Sequence, residues 1–241
     1  MEKIFERLNE SQTAAVKQTE GPVLILAGAG SGKTTTIVSR LAYLIKAVGI
    51  PASNTLTLTF TNKAAREMKE RSMSMIENAA YPPLLCTFHK FGLLFLKFNI
   101  HLLGRQNNFV VIDTDDKKKI IKNINSEIPT PLIASEISRY KNSLMTPDDA
   151  YKQAELFNYK QIAEVYGEYQ KHLLENNLVD FDDLLALTYK LLDENTELAE
   201  KTSQKYQYIM IDEYQDTNEL QLKIFIKLHN VSYVCTTPTV N

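Results

Sequence analysis

The sequence has no tryptophan, two cysteines, and only eight glycines and eight prolines in 241 residues. Each scarcity excludes something. Two cysteines, Cys86 and Cys235, are too few for a disulfide framework and too far apart for a metal-ligand pair, so they read as small buried side chains in a reducing compartment. Low Gly and Pro rule out a collagen-like or linker-like chain. No apolar run approaches the ~20 residues that a bilayer crossing requires. The opening Met-Glu-Lys-Ile-Phe-Glu-Arg lacks the apolar stretch of a secretory leader. The expectation is a cytoplasmic protein without a membrane partner. Neither sign of charge dominates: 27 Lys and Arg face 29 Asp and Glu. Any polyanion-binding surface must therefore be local. The one basic run, Lys117-Lys118-Lys119 with Lys122, reads as a solvated helix face.

What is present is an ordinary globular mixture, 44% hydrophobic and 23% charged, long enough to bury a real core. Four short apolar runs read as buried strands: 22–27, 55–60, 84–88 and 208–212. Helical patterns at 34–47 and 63–76 separate the first three, the second with Ala64, Ala65 and Met68 along one face. Strand and helix in alternation predict an α/β fold with a parallel sheet covered on both faces. The long stretch before the fourth strand is charged and mostly helical from Asp115 to Leu174, with a loop at Ile128-Pro129-Thr130-Pro131. It predicts a helical insertion over 104–177, inside an α/β domain made of 1–103 and 178–241.

Chemistry concentrates at two places. Ala27-Gly28-Ala29-Gly30-Ser31-Gly32-Lys33-Thr34 follows a hydrophobic strand and opens a helix. A loop that wraps phosphates must turn backbone N–H groups inward, which calls for small side chains, and the helix dipole adds positive potential. Lys33 would reach the β- and γ-phosphates, and the Thr34 hydroxyl would hold Mg²⁺. The general pattern has Gly where this chain has Ala27. The second place is Asp212-Glu213, at the end of the apolar run Tyr208 to Ile211. An Asp there can hold Mg²⁺ opposite the phosphate loop, and the following Glu can orient or deprotonate an attacking water. Ligands in open α/β sheets sit beyond the carboxyl ends of strands, where both motifs fall.

Five segments in order carry a family resemblance: the phosphate loop, Thr59 to Met68, Thr87-Phe88-His89, Asp180-Phe181-Asp182-Asp183-Leu184, and Asp212 to Asn218. From about Leu8 to Asn230 the chain resembles the UvrD/Rep/PcrA family of superfamily 1 DNA helicases. Ala at position 27 is usual in that family. The resemblance implies a P-loop NTPase (RecA-like) motor domain, ATP and Mg²⁺ as cofactors, and single-stranded DNA as partner. It implies Lys33, Asp212 and Glu213 as catalytic residues and Thr34 and Asp212 as metal ligands. Residues 27–34 and Thr35 would hold the nucleotide, with Arg40 nearby, and Gln12 would read adenine. Gln12 equally suits a capping box with Asn9. Phe60, Thr61, Asn62, Thr87 and His89 would contact DNA, Phe60 by stacking on a base, although a ring ending an apolar strand also suits the core. The 104–177 insertion matches a helical subdomain that the family carries.

The second motor domain that the resemblance leads one to expect is not in the sequence, nor is the Gly-Asp-x-x-Gln segment expected soon after Asn230. The expectation is a monomeric ATP-binding front part of a helicase, unable to unwind DNA without that domain. Residues 231–235 would form one more buried strand, and 236–241, interrupted by Pro238, a mobile non-native end. The motor half of a helicase–nuclease, a small P-loop kinase and a nucleotide-controlled interaction module are the alternatives weighed; the long gap before Asp212 opposes the kinase.

Overall fold

A computed structural model describes residues 2–28, 30–76, 82–229 and 232–237. Two short helices, α1 (Glu2–Phe5) and α2 (Glu10–Lys17), precede the first strand, β1 (Gly21–Leu26). Helix α3 (Lys33–Tyr43) follows the phosphate loop, and the chain widens into a π-helical turn at Leu44–Val48 that Gly49 ends at φ +84°. Then come β2 (Thr55–Thr59), α4 (Asn62–Ile76), β3 (Leu84–Thr87) and α5 (Phe88–Asn99). The helical stretch carries β4 (Val110–Val111), α6 (Thr114–Ile124), α7 (Thr130–Asn142), α8 (Pro147–Gln153), α9 (Phe157–Glu175), β5 (Leu178–Val179) and α10 (Asp183–Glu194). The chain ends through α11 (Thr196–Lys205), β6 (Tyr208–Ile211), α12 (Glu219–Leu228) and β7 (Ser232–Thr237).

The main sheet has the order β1-β7-β6-β2-β3, and every pairing in it is parallel. The expected α/β class with a parallel sheet is what the chain adopts. Strands β2 and β6 are buried throughout, as continuous apolar and Thr runs predict. β1 departs from the expectation of a buried strand. It lies at the sheet margin, its burial alternates, and Leu24 and Leu26 are each 58% exposed. The last strand also departs: β7 runs to Thr237, so Thr236 and Thr237 pair with Ile25 and Leu26 instead of forming a mobile end. Pro238 to Asn241 lie outside the described residues. Helices α3 and α4 cover part of the sheet through Ile37, Val38, Leu41, Met68 and Ile76, which cluster with Leu85 of β3, Met210 of β6 and Val16 of α2. Ala65 and Met68 face that side, while Ala64 is only half-buried.

The chain divides into two compact units, one of 1–90, 196–218 and 225–241, the other of 91–195 and 219–224. The helical unit is thus wider than the 104–177 stretch. Its core is Ile121 of α6, Ile133, Ile137 and Tyr140 of α7, and Ile162, Tyr166, Tyr169 and Leu173 of α9. Pro129 and Pro131 belong to the entry of α7 rather than to a free loop, because Pro in a first helical turn gives up no hydrogen bond. The basic run is corrected in one residue. Lys118, Lys119 and Lys122 are exposed, but Lys117 is buried, with its ammonium 2.8 Å from Asp182 and 3.6 Å from Asp180. Lys141 is buried beside it, 2.8 Å from both Asp180 and Asp183. The Tyr169 hydroxyl donates to Asp180 at 2.9 Å, and Ser138 and Asn142 donate to Asp182. The Asp180-x-Asp182-Asp183 motif therefore ties α6, α7 and α9 to the start of α10.

Candidate nucleotide site

Parallel strands end on one edge of a sheet, and that edge gathers most of the residues singled out above. The phosphate loop leaves β1 after Leu26, Asp212 follows β6, Phe60 follows β2, and Phe88 follows β3. Within the loop, Gly30 at φ +74° and Gly32 at φ +87° take the left-handed conformation that side chains disfavour. A cavity of about 450 Å³ opens there, lined by Gly30, Gly32, Lys33, Thr34, Thr35, Arg71 and Glu213. One unit of the molecule contains all seven.

Lys33 is buried at the mouth of α3, and its ammonium donates to the carbonyls of Ala27 (3.2 Å) and Gly28 (3.3 Å). Ser31 Oγ donates to the Gly28 carbonyl at 2.6 Å. Asp212 is buried, and its N–H continues the ladder to the Leu58 carbonyl at 3.0 Å. Glu213 is half-buried and adopts φ +52°, ψ +50°, a conformation that costs a non-glycine residue of order 1–3 kcal/mol. That strain turns the chain sharply after β6. It leaves the Glu213 carboxylate on the cavity wall, where Gln215 Nε2 donates to it at 2.8 Å.

Gln12 forms the capping box and also touches the phosphate loop. Its backbone and side chain complete the capping box with Asn9, and Nε2 donates to the Ser31 carbonyl at 2.8 Å. Arg40 is turned elsewhere. It is 1% exposed, Nη1 donates to the carbonyls of Ala15 and Gln18, and burial pulls its pKa down to about 10. It fastens α2 to α3 and is not among the cavity's lining residues. Ala29 lies outside the described residues.

The remaining segments sit along the same edge. Phe60 is half-buried with its ring 6.0 Å from that of Phe88. Thr61 Oγ1 accepts from the Ala64 N–H, and Thr87 Oγ1 accepts from the Lys90 N–H, each at 3.1 Å, so both hydroxyls cap helices. Asn62 is exposed and His89 half-buried. Arg71, on α4, is the lining residue that the sequence did not single out. Its position in a helix following β2 becomes meaningful only once β2, β6 and β1 are aligned. Among the described residues, no group of three or more His, Cys, Asp or Glu side chains could hold a metal by itself. Both thiols are buried, which pushes Cys86 and Cys235 up to about 12.

A family model for the UvrD/REP helicase N-terminal domain matches residues 8–236. The ATP-dependent DNA helicase PcrA of Staphylococcus aureus strain Mu50 is 42% identical over 228 residues, which cover 92% of this chain and 31% of that protein. The protein of the same description from Staphylococcus epidermidis strain RP62A is 40% identical over 237 residues, 95% of this chain and 32% of its own length. The chain thus spans about a third of the length of the curated relatives it matches.

Proposed function

Because this chain belongs to the UvrD/REP helicase N-terminal domain family, we propose that it is the ATP·Mg²⁺-binding part of a DNA helicase motor that acts on single-stranded DNA. The observation that carries this reading is the shared cavity: Lys33 and Thr34, Arg71 and Glu213 line one space beyond the carboxyl ends of β1 and β6. Its small-residue loop suits a triphosphate, and two cations face it. The donor set also suits Mg²⁺, which is held by few protein oxygens together with substrate phosphates. Thr34 and Asp212 would hold the ion, and when bound it would neutralise charge on the phosphates. Lys33 would leave the Ala27 and Gly28 carbonyls for phosphate oxygens, and Arg71 would add a second cation. Glu213 would accept a proton from the attacking water.

Phe60, Thr61, Asn62, Thr87 and His89 would form a single-stranded DNA track along the same edge, with Phe60 offering a ring and the N-termini of α4 and α5 offering backbone donors. In the whole protein a second motor domain would close over the nucleotide, and unwinding would need it. The motor would be built from 1–103 and 178–241, with 104–177 as its helical insertion, and would act as a monomer.

Calorimetric titration of ATP·Mg²⁺ into this chain and into Lys33→Ala tests the assignment. Loss of a charge-assisted contact should weaken binding by ~1.5–3 kcal/mol, or roughly tenfold to over a hundredfold. Equal affinities would remove the phosphate loop from the nucleotide site.

A further inference from the structure

Helix α2 reaches the phosphate loop through a single described side-chain hydrogen bond, Gln12 Nε2 to the Ser31 carbonyl at 2.8 Å. The helix itself is held firmly. Gln12 Oε1 accepts the Asn9 N–H at 2.9 Å, and at the far end Arg40 of α3 grips the Ala15 and Gln18 carbonyls. The amide therefore extends from a support anchored to the same helix that the loop opens. The fit is close, since a Cβ at Gly32 would stand 2.9 Å from Gln12 Nε2.

A trans peptide unit is planar, with its C=O and N–H pointing in opposite directions. Holding the Ser31 carbonyl therefore fixes the direction of the Gly32 N–H. Gln12 is not one of the residues lining the phosphate cavity, whereas Gly32 is. The carbonyl is thus drawn out toward α2, and the Gly32 N–H is turned away from it. A glycine at φ +87° has little local preference to hold that plane by itself.

We propose that Gln12 is a positioning residue for phosphate binding: by holding the Ser31 carbonyl it presets the Ser31–Gly32 peptide, so that it raises affinity for a polyphosphate whether or not a base is attached. This rests on the nucleotide reading above and adds to it a role for Gln12 that base recognition does not require. The same amide then links the two ends of the nucleotide, because any movement it makes toward a base is felt by the loop.

Two measurements on the intact chain test this, comparing wild type with Gln12→Ala and Asn9→Ala. Asn9→Ala removes the cap acceptor but leaves the Gln12 side chain in place, so it controls for loosening of α2. The first measurement is the affinity for Mg²⁺-tripolyphosphate, which has no base. Gln12→Ala should weaken it about two- to tenfold, the worth of one neutral hydrogen bond, while Asn9→Ala leaves it within error. The second is amide hydrogen exchange of residues 30–32 without ligand, which should accelerate in Gln12→Ala only. Unchanged tripolyphosphate affinity in Gln12→Ala, or an equal loss in Asn9→Ala, overturns the proposal. If wild type binds neither ATP nor tripolyphosphate, the nucleotide reading falls instead. The exchange measurement then decides alone, and unaltered loop exchange in Gln12→Ala overturns the positioning role.

Discussion

Replacing Lys141 by Met should be among the costliest single changes in the helical unit, and its cost should depend on pH. The Lys141 ammonium is 1% exposed in its side chain and lies 2.8 Å from Asp180 and 2.8 Å from Asp183, which are 2% exposed. Methionine preserves the volume of the stem and removes the charge. Two carboxylates then share a dry site, offset by Lys117, 3.6 Å from Asp180, and by the charge of Arg105. Breaking a buried pair in this way costs ~3–5 kcal/mol. In a chain of this size that lowers the thermal midpoint by roughly 6–20 °C. Burial, followed by the neighbouring Asp180 charge, already raises Asp183 to about 6 against the pull of Lys141. A carboxyl raised above its unfolded value of ~3.9 keeps a proton that the unfolded chain has lost. The fold is therefore favoured at low pH and loses that stability as pH rises from about 4 through 6. Without Lys141 the folded value climbs further and the window extends upward. Asp180 is held low, so its own loss of stability lies at more acid pH. Chemical denaturation of wild type and Lys141→Met at pH 5 and pH 8 should show a deficit that is largest at pH 8. A deficit below ~1 kcal/mol, or one equal at both pH values, would refute the reasoning.

Other expectations follow from single contacts. Gly92→Ala would place a Cβ 2.4 Å from the Leu184 carbonyl oxygen and 3.2 Å from Thr188 Oγ1. Backbone cannot yield as a side chain can, so α5 and α10 must part. Thermal unfolding should show a loss of ~1–3 kcal/mol despite alanine's better helix propensity. In a protein that also carries the second motor domain, Glu213→Gln should leave ATP·Mg²⁺ affinity unchanged in calorimetry while slowing ATP turnover by ~10²–10⁴ in a coupled assay, and parental turnover would exclude the proton-accepting role. Phe60→Ala should weaken single-stranded DNA binding by ~1–3 kcal/mol in an anisotropy titration whose affinity falls steeply with salt. No change would return Phe60 to packing against Phe88.

The central strands could be read in advance because their apolar and Thr runs are local, each ending in turn residues. So could the phosphate loop, whose glycines fall at alternate positions just before Lys33. Features that depend on distant pairing could not. The partners of Lys117 and Lys141 come 65 and 39 residues later, so the basic run looked like a solvated face. Arg71 reaches the cavity only because α4 returns beside α3. The exposure of Leu24 and Leu26 depends on which strands flank β1, and no local pattern records that. Gln12 was ambiguous for a different reason. One amide has enough donors and acceptors to cap a helix and reach a further partner, and the partner seen, the Ser31 carbonyl, lies 19 residues on.

The place of β1 in the sheet bears on the order in which the molecule comes apart. The phosphate loop hangs from a strand paired, among the described residues, on one side only, to β7, while Asp212 hangs from β6 between two neighbours. Partial openings favour elements with few buried side chains, and those of β1 alternate between half-buried and exposed. A thermal fluctuation that peels β1 from β7 would take Lys33 and Thr34 away from Glu213 while β6, β2 and β3 stay together. The chain would then keep much of its strand content and still hold no nucleotide. Conversely, a bound triphosphate would fasten that margin of the sheet, so ligand protection should be concentrated in that strand and its loop rather than spread across the molecule.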